Sequence, residues 1–310
     1  MTAVGRVLGS LADVSARAFE MAVGALSEPA ARRFGRRLGM AAHSVARVRR
    51  RTVERQLADS FPERDERWLR DTVRACYEHF GEEIAVLARP DSARIGELLG
   101  RARDPEGRVA FYRDVLQAGS GSVVVTAHLG NWELAGATLA SVGVPVTAVV
   151  RRQRGAFDRR VQRIRGALGM EVAYDDESSW RLRRALRAGH ALALVADQHA
   201  GEAGAPVPFL GRPASTFLGP ARLCLKCRAP LFFGALLRDG EGYRIYLDRI
   251  DEEGGAGDEV ELTRAWVARL EALVTDHPEQ YFWFHRRWKL GHAGTPEAIA
   301  AYQPASEELA

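Results

Sequence analysis

The chain has 310 residues, 46% of them hydrophobic and 27% charged, with a formal net charge of +4. That length holds one large α/β domain or two small ones, and the balance is that of a folded rather than a disordered chain. Three cysteines (Cys76, Cys224 and Cys227) are too few for a disulfide scaffold and fit a reducing compartment; Cys224-Leu-Lys-Cys227 has no second ligand pair to make a metal centre.

The 44 basic residues are all arginine apart from Lys226 and Lys289. Arginine forks bind phosphates and carboxylates bidentately and work at interfaces. No run of about 18 uninterrupted apolar residues occurs, so no membrane span is expected. The first thirty residues carry Arg6, Asp13, Arg17 and Glu20 throughout, which is not the pattern of a signal peptide.

Residues 4–26 place Val4, Val7, Leu11, Ala18, Phe19 and Val23 on one helical stripe. A basic segment follows, from Arg32 and Arg33 to Arg51 and Arg55, with Glu54 its only acid. Such a segment suits either an amphipathic helix on an anionic membrane surface or helices packed on the core with a solvated face. It lacks the interleaved aromatics of a nucleic-acid site, and no nucleic acid is expected as a partner. We divide the chain into residues 1–60, an amphipathic membrane-associating segment, residues 61–290, a catalytic domain, and residues 291–310, a polar tail.

Phe61-Pro62 breaks the chain, residues 65–89 read as helix, and residues 91–117 read as helix with loops. From residue 122 short apolar runs alternate with helical stretches. The runs 122–126, 144–150, 170–174, 191–196, 231–237 and 243–248 predict strands; 131–142, 157–168, 177–188, 217–227 and 260–276 predict helices. This rhythm gives an α/β sheet with helices on its faces.

In such sheets sites gather at the carboxyl ends of strands. His128 stands at one such end in Thr126-Ala127-His128-Leu129-Gly130-Asn131-Trp132-Glu133. An imidazole there can take a proton from an attacking hydroxyl, and Glu133 can accept the other ring N–H and stabilise the imidazolium. Asp197, in Ala196-Asp197-Gln198-His199, closes a second strand at the same edge. It can hold an arginine or a substrate hydroxyl, or simply cap a turn. His199 beside it raises a metal site with His128 and Glu133, but no metalloprotease spacing accompanies it and no metal is expected. Thr216 is placed to cap the helix that follows and to make its N-terminus an anion site, unless this is an ordinary loop-to-helix junction. Arg151 and the arginines after it form either a solvated face or, since they begin beside the site, a place where phosphates can dock. The G-x-S-x-G elbow, the phosphate loop and the dinucleotide turn are all absent.

Taken together, these motifs resemble the bacterial lipid A biosynthesis acyltransferases over roughly residues 45–290. The matching segments, in order, are His128-Leu129-Gly130-Asn131-Trp132-Glu133, Arg151, Arg165, Ala196-Asp197-Gln198, Val207-Pro208-Phe209-Leu210-Gly211 with Thr216, and Trp283-Phe284-His285-Arg286-Arg287-Trp288. The resemblance implies a single mixed β-sheet flanked by helices. It also implies acyl transfer from acyl-carrier protein or coenzyme A, as co-substrate without a cofactor, to a hydroxyl of a lipid A precursor. His128 would be the base and Glu133 its partner; Asn131, Arg151, Arg165, Asp197, Gln198 and Thr216 would line the substrate site. It places the enzyme peripherally on the cytoplasmic face of the inner membrane. A different glycolipid acceptor such as a phosphatidylinositol mannoside, a catalytically silent membrane-binding homologue, and a metal-dependent hydrolase remain as alternatives. Arg152-Gln153-Arg154-Gly155 departs from the family pattern after Arg151 and leaves the acceptor open.

Overall fold

The computed structural model describes residues 17–289 apart from 90–91, 118, 120, 153–155, 178 and 252–257. The polar tail, most of the 4–26 stripe and Gln153-Arg154-Gly155 lie outside these residues. Residues 17–24 are helical. Then come α1 (Glu28–Ser44), α2 (Arg50–Ser60), α3 (Glu66–Leu87), α4 (Ser92–Gly100), β1 (Ala102–Arg103) and α5 (Arg108–Gln117). The alternating part follows as β2 (Ser122–Thr126), α6 (Trp132–Ser141), β3 (Val146–Val150), α7 (Ala156–Ala167), β4 (Met170–Tyr174), α8 (Ser179–Arg187) and β5 (Ala191–Val195). The chain continues with β6 (Ala205–Phe209), β7 (Arg212–Thr216), α9 (Gly219–Cys227), β8 (Leu231–Asp239), β9 (Gly242–Arg249) and α10 (Glu259–Asp276).

Seven strands form one mixed sheet in the order β1-β9-β8-β2-β5-β3-β4. Only β8 and β9 pair antiparallel. All five residues of β2 are buried, which is why it reads as an unbroken apolar run rather than an alternating one. One face of the sheet packs Val123, Val125, Leu192 and Leu194 against Leu182, Leu186 and Trp266 of α8 and α10. The other packs Val124, Val146 and Phe232 against Leu134 and Ala137 of α6.

The hairpin β6–β7 was not expected from the sequence. Pro206, Pro208 and Pro213 depress strand propensity there, but a two-stranded ribbon leaves one side of each strand free of hydrogen bonds, so proline is tolerated.

Residues 28–60 are not set apart from the rest. Helix α1 lies against α3 through Gly35, Gly39 and Gly81; a Cβ on Gly35 would fall 2.3 Å from the Gly81 carbonyl oxygen. Gln56 of α2 reaches the far end of the chain, donating to the carbonyls of Trp283 (2.6 Å) and His285 (2.8 Å) and accepting from Arg287 N–H (2.8 Å). Among the described residues no helix is long and apolar enough to cross a membrane.

Candidate active site

Strands β2 and β5 are parallel neighbours with Thr126 opposite Val195. Two residues further on, each strand has left the sheet at the same edge, and the same offset brings His128 to Asp197. His128 Nδ1 lies 2.7 Å from Asp197 Oδ1. The Asp197 side chain is 3% exposed and the His128 side chain 22%. Burial works to raise the Asp197 carboxyl, but the His128 ring, hydrogen bonds from His128 and the Arg287 guanidinium more than offset it and hold it below its ordinary range. An ionised carboxylate only accepts, so Nδ1 carries the ring proton and Nε2 presents its lone pair.

The acid five residues after His128 does something else. Glu133 receives a two-pronged ion pair from Arg165, Nε to Oε2 at 2.9 Å and Nη2 to Oε1 at 2.7 Å. The expected Glu133–His128 contact is therefore replaced by His128–Asp197. The reason is directional: Glu133 sits in the first turn of α6, facing α7, while His128 precedes the turn and follows β2 toward β5. Arg165 is correspondingly committed to Glu133 rather than free for phosphate.

The turn between them depends on Gly130. Its φ of +59° is in the left-handed region, and a Cβ would meet the Leu236 carbonyl oxygen at 2.2 Å. Gly130 N–H donates to Gln280 O and Asn131 N–H to Leu236 O, both at 2.9 Å, while Phe282 N–H donates to His128 O at 2.9 Å. His128 is thus pinned between β8 and the segment 280–282. Trp132 and Phe282 flank its ring, with centroids 4.9 and 5.8 Å away.

The remaining expected site residues separate. Gln198 joins the site: its amide nitrogen is 3.5 Å from Nδ1 and 3.4 Å from Nε2 of His128, and near-equal distances put it over the ring face rather than in line with either lone pair. Arg151 is at the same sheet edge, exposed, 3.5 Å from Asp175. Asn131 is 1% exposed and its side chain is engaged within the protein: its Oδ1 caps α6 at Leu134 N–H (3.0 Å) and its Nδ2 donates to Glu83 (2.6 Å). Thr216 is fully buried at the end of β7. It does not cap α9, whose N-cap position is Leu218; its hydroxyl accepts from Arg287 Nη2 at 2.5 Å.

Sequence reasoning missed Tyr281 and Arg287 as supports of Asp197. Burial, together with the nearby Asp197 charge, pushes the Tyr281 phenol well above its ordinary pKa. Arg287 is held by the Ser215 carbonyl and Thr216. Arg287 belongs to the block Trp283–Trp288 that the sequence singles out and Tyr281 lies two residues before it, so that block was the available signal. His285 stands nearby, accepting His199 N–H at 3.2 Å; burial and the Lys289 charge lower it to about 4. Among the described residues no three His, Cys, Asp or Glu side chains gather to hold a metal ion.

An apolar cavity of about 60 Å³ opens between α6 and the sheet. At the carboxyl edge its wall is Thr126, Val150, Val195, Trp132 and the Glu133–Arg165 pair; its far end is Leu139 and Met170. Met170 fits because residue 136 is glycine, whose added Cβ would meet the Met170 sulfur at 2.3 Å.

The family description of bacterial lipid A biosynthesis acyltransferases matches residues 8–290. The chain belongs to that family. It is 27% identical over 221 residues to a phosphatidylinositol mannoside acyltransferase of Mycolicibacterium smegmatis, covering 69% of this chain and 70% of the relative. To the lipid A biosynthesis lauroyltransferase of Escherichia coli it is 28% identical over 283 residues, 87% of this chain and 89% of the relative. The palmitoleoyltransferase of the same organism is 26% identical over 257 residues, 77% and 83%. The resemblance read from the motifs and the flanked mixed sheet both hold, and the chain is an acyltransferase of the lipid A or glycolipid type.

Proposed function

We propose that this enzyme moves a fatty acyl group from a thioester, on acyl-carrier protein or coenzyme A, to a hydroxyl of a lipid A precursor, by direct attack. The observation that carries this is the His128–Asp197 pair, which leaves Nε2 unpaired by any carboxylate, with the His128 ring against Trp132, which lines an apolar cavity together with Thr126. Nε2 takes the proton of the acceptor hydroxyl as its oxygen bonds to the thioester carbonyl carbon. The carbon–sulfur bond then breaks, the thiolate takes the proton from the imidazolium, and the base returns to its starting state. Asp197 fixes the tautomer and stabilises the imidazolium between these steps. The acyl chain lies in the cavity, each methylene withdrawn from water contributing about 0.8 kcal/mol. No cofactor enters this chemistry.

Arg151, exposed at the same edge, is the residue we assign to an acceptor phosphate. Glu133 and Arg165 act as a pair that shapes the cavity wall. Peripheral contact with an anionic membrane, on the cytoplasmic face of the inner membrane where thioester donors are available, is supported by α1 and the loop after it. Phe34, Leu38, Val45 and Val48 are exposed there among Arg33, Arg37, Arg47 and Arg51.

A second acceptor, a phosphatidylinositol mannoside, is favoured by the names of several relatives. Incubation of acyl-carrier-protein and coenzyme A donors of several lengths with each glycolipid, followed by product mass, separates the two. The reading expects one added acyl group on the lipid A precursor and none with His128→Ala. Acylation of the mannoside alone would reassign the acceptor, and transfer retained by His128→Ala would sink the mechanism.

A further inference from the structure

We infer that Thr126 is a substrate-binding residue, its hydroxyl donating a hydrogen bond to the carbonyl oxygen of the acyl thioester. This rests on the acyl-cavity reading above. Thr126 ends β2, lines the cavity and lies two residues before His128. It is 6% exposed, and its Oγ1 is buried with no hydrogen-bond partner. Among the described residues that line the cavity it is alone in that respect.

The neighbouring polar groups are spoken for. Glu133 and Arg165 hold each other. Thr138 returns its hydroxyl to Leu134 O at 2.9 Å. On the same strand Ser122 meets the Tyr112 hydroxyl at 2.6 Å. Valine has the shape of threonine and suits a buried strand better, and Val123, Val124 and Val125 precede this position. A buried hydroxyl without a partner is costly to keep. A ligand oxygen arriving beside an apolar cavity and next to the base removes that cost. A fatty chain in the cavity with its carbonyl at the base end has that chemistry; a hydrocarbon without the carbonyl does not.

The test compares two probes on the full chain, by titration calorimetry: dodecanoyl-coenzyme A and its S-dodecyl thioether, which has the same chain and no carbonyl. Thr126→Val should bind the thioester about five- to ten-fold more weakly than the wild type, as expected for one lost hydrogen bond. It should bind the thioether unchanged and melt no lower than the wild type. Thr126→Ser should keep the wild-type preference. Equal binding of the thioester by wild type and Thr126→Val overturns the inference, and so does an equal loss for both probes, which would assign Thr126 to packing. Wild-type protein that binds neither probe, nor the same thioester and thioether carried on acyl-carrier protein, overturns the acyl-cavity reading itself, and the Thr126 role with it.

Discussion

Asp197 keeps its charge in a place where burial opposes it, because His128, Arg287 and the Tyr281 hydroxyl surround it. Asp197→Asn keeps the volume but offers an N–H toward Nδ1, which turns the ring to the wrong tautomer. We expect kcat to fall by about 10²–10⁴ with the melting temperature little changed; a kcat near wild type would remove Asp197 from the chemistry. Glu133 answers to a different readout. Glu133→Gln leaves the Arg165 guanidinium, 12% exposed, without its counter-ion. Breaking a buried pair from one side costs about 3–5 kcal/mol, so thermal denaturation should show a clear drop. Activity lost at full stability would instead give Glu133 a direct part in catalysis.

At the scale of elements, α6 is fixed at its first turn by Asn131, which caps Leu134 N–H and donates to Glu83. Glu83 also accepts from the Tyr243 hydroxyl at 2.7 Å. Asn131→Ala removes a cap worth about 1 kcal/mol and one partner of a buried carboxylate. Hydrogen exchange should quicken first at residues 132–134, and uniform exchange across α6 would argue against this anchor. The strands were legible in the sequence because Val123-Val124-Val125 of the wholly buried β2 and the residues of β5 read as apolar runs, with His128 and Asp197 just beyond their ends. Their partnership was not legible. It needs β2 and β5 to be neighbours, and they are separated in sequence by β3, β4 and three helices. A local reading therefore chose Glu133, near in sequence but turned toward Arg165. Asn131 was likewise misread, since a cap and a substrate contact look alike until burial is known.

The whole molecule carries several histidines that folding keeps neutral. Burial lowers His79, His199 and His285, the last to about 4 from an ordinary 6.5. The unfolded chain therefore binds more protons between about pH 6.5 and 4, and stability falls as pH falls through that window. Melting temperatures across pH 4–7 should show this slope, and His285→Asn should flatten it; an unchanged slope would place the effect in other groups. Binding to vesicles rich in anionic lipid should weaken with added salt, and a charge-reversed Arg33→Glu, Arg37→Glu variant should bind more weakly and depend less on salt. Salt-insensitive binding would leave the apolar residues of α1 to account for attachment.

Gln56 has a consequence for the order in which the molecule is made. Helix α2 leaves the ribosome early, yet its side-chain amide can be satisfied only by Trp283, His285 and Arg287, close to the last residues the structure describes. The same late segment supplies Phe282, which holds the His128 carbonyl, and Tyr281, which steadies Asp197. Helix α2 and residues 283–287 therefore close on each other like a clasp. A nascent chain can form most of its sheet during synthesis and still lack the segment that holds His128 and Asp197, so on the proposed mechanism activity begins only once residues 281–287 have emerged.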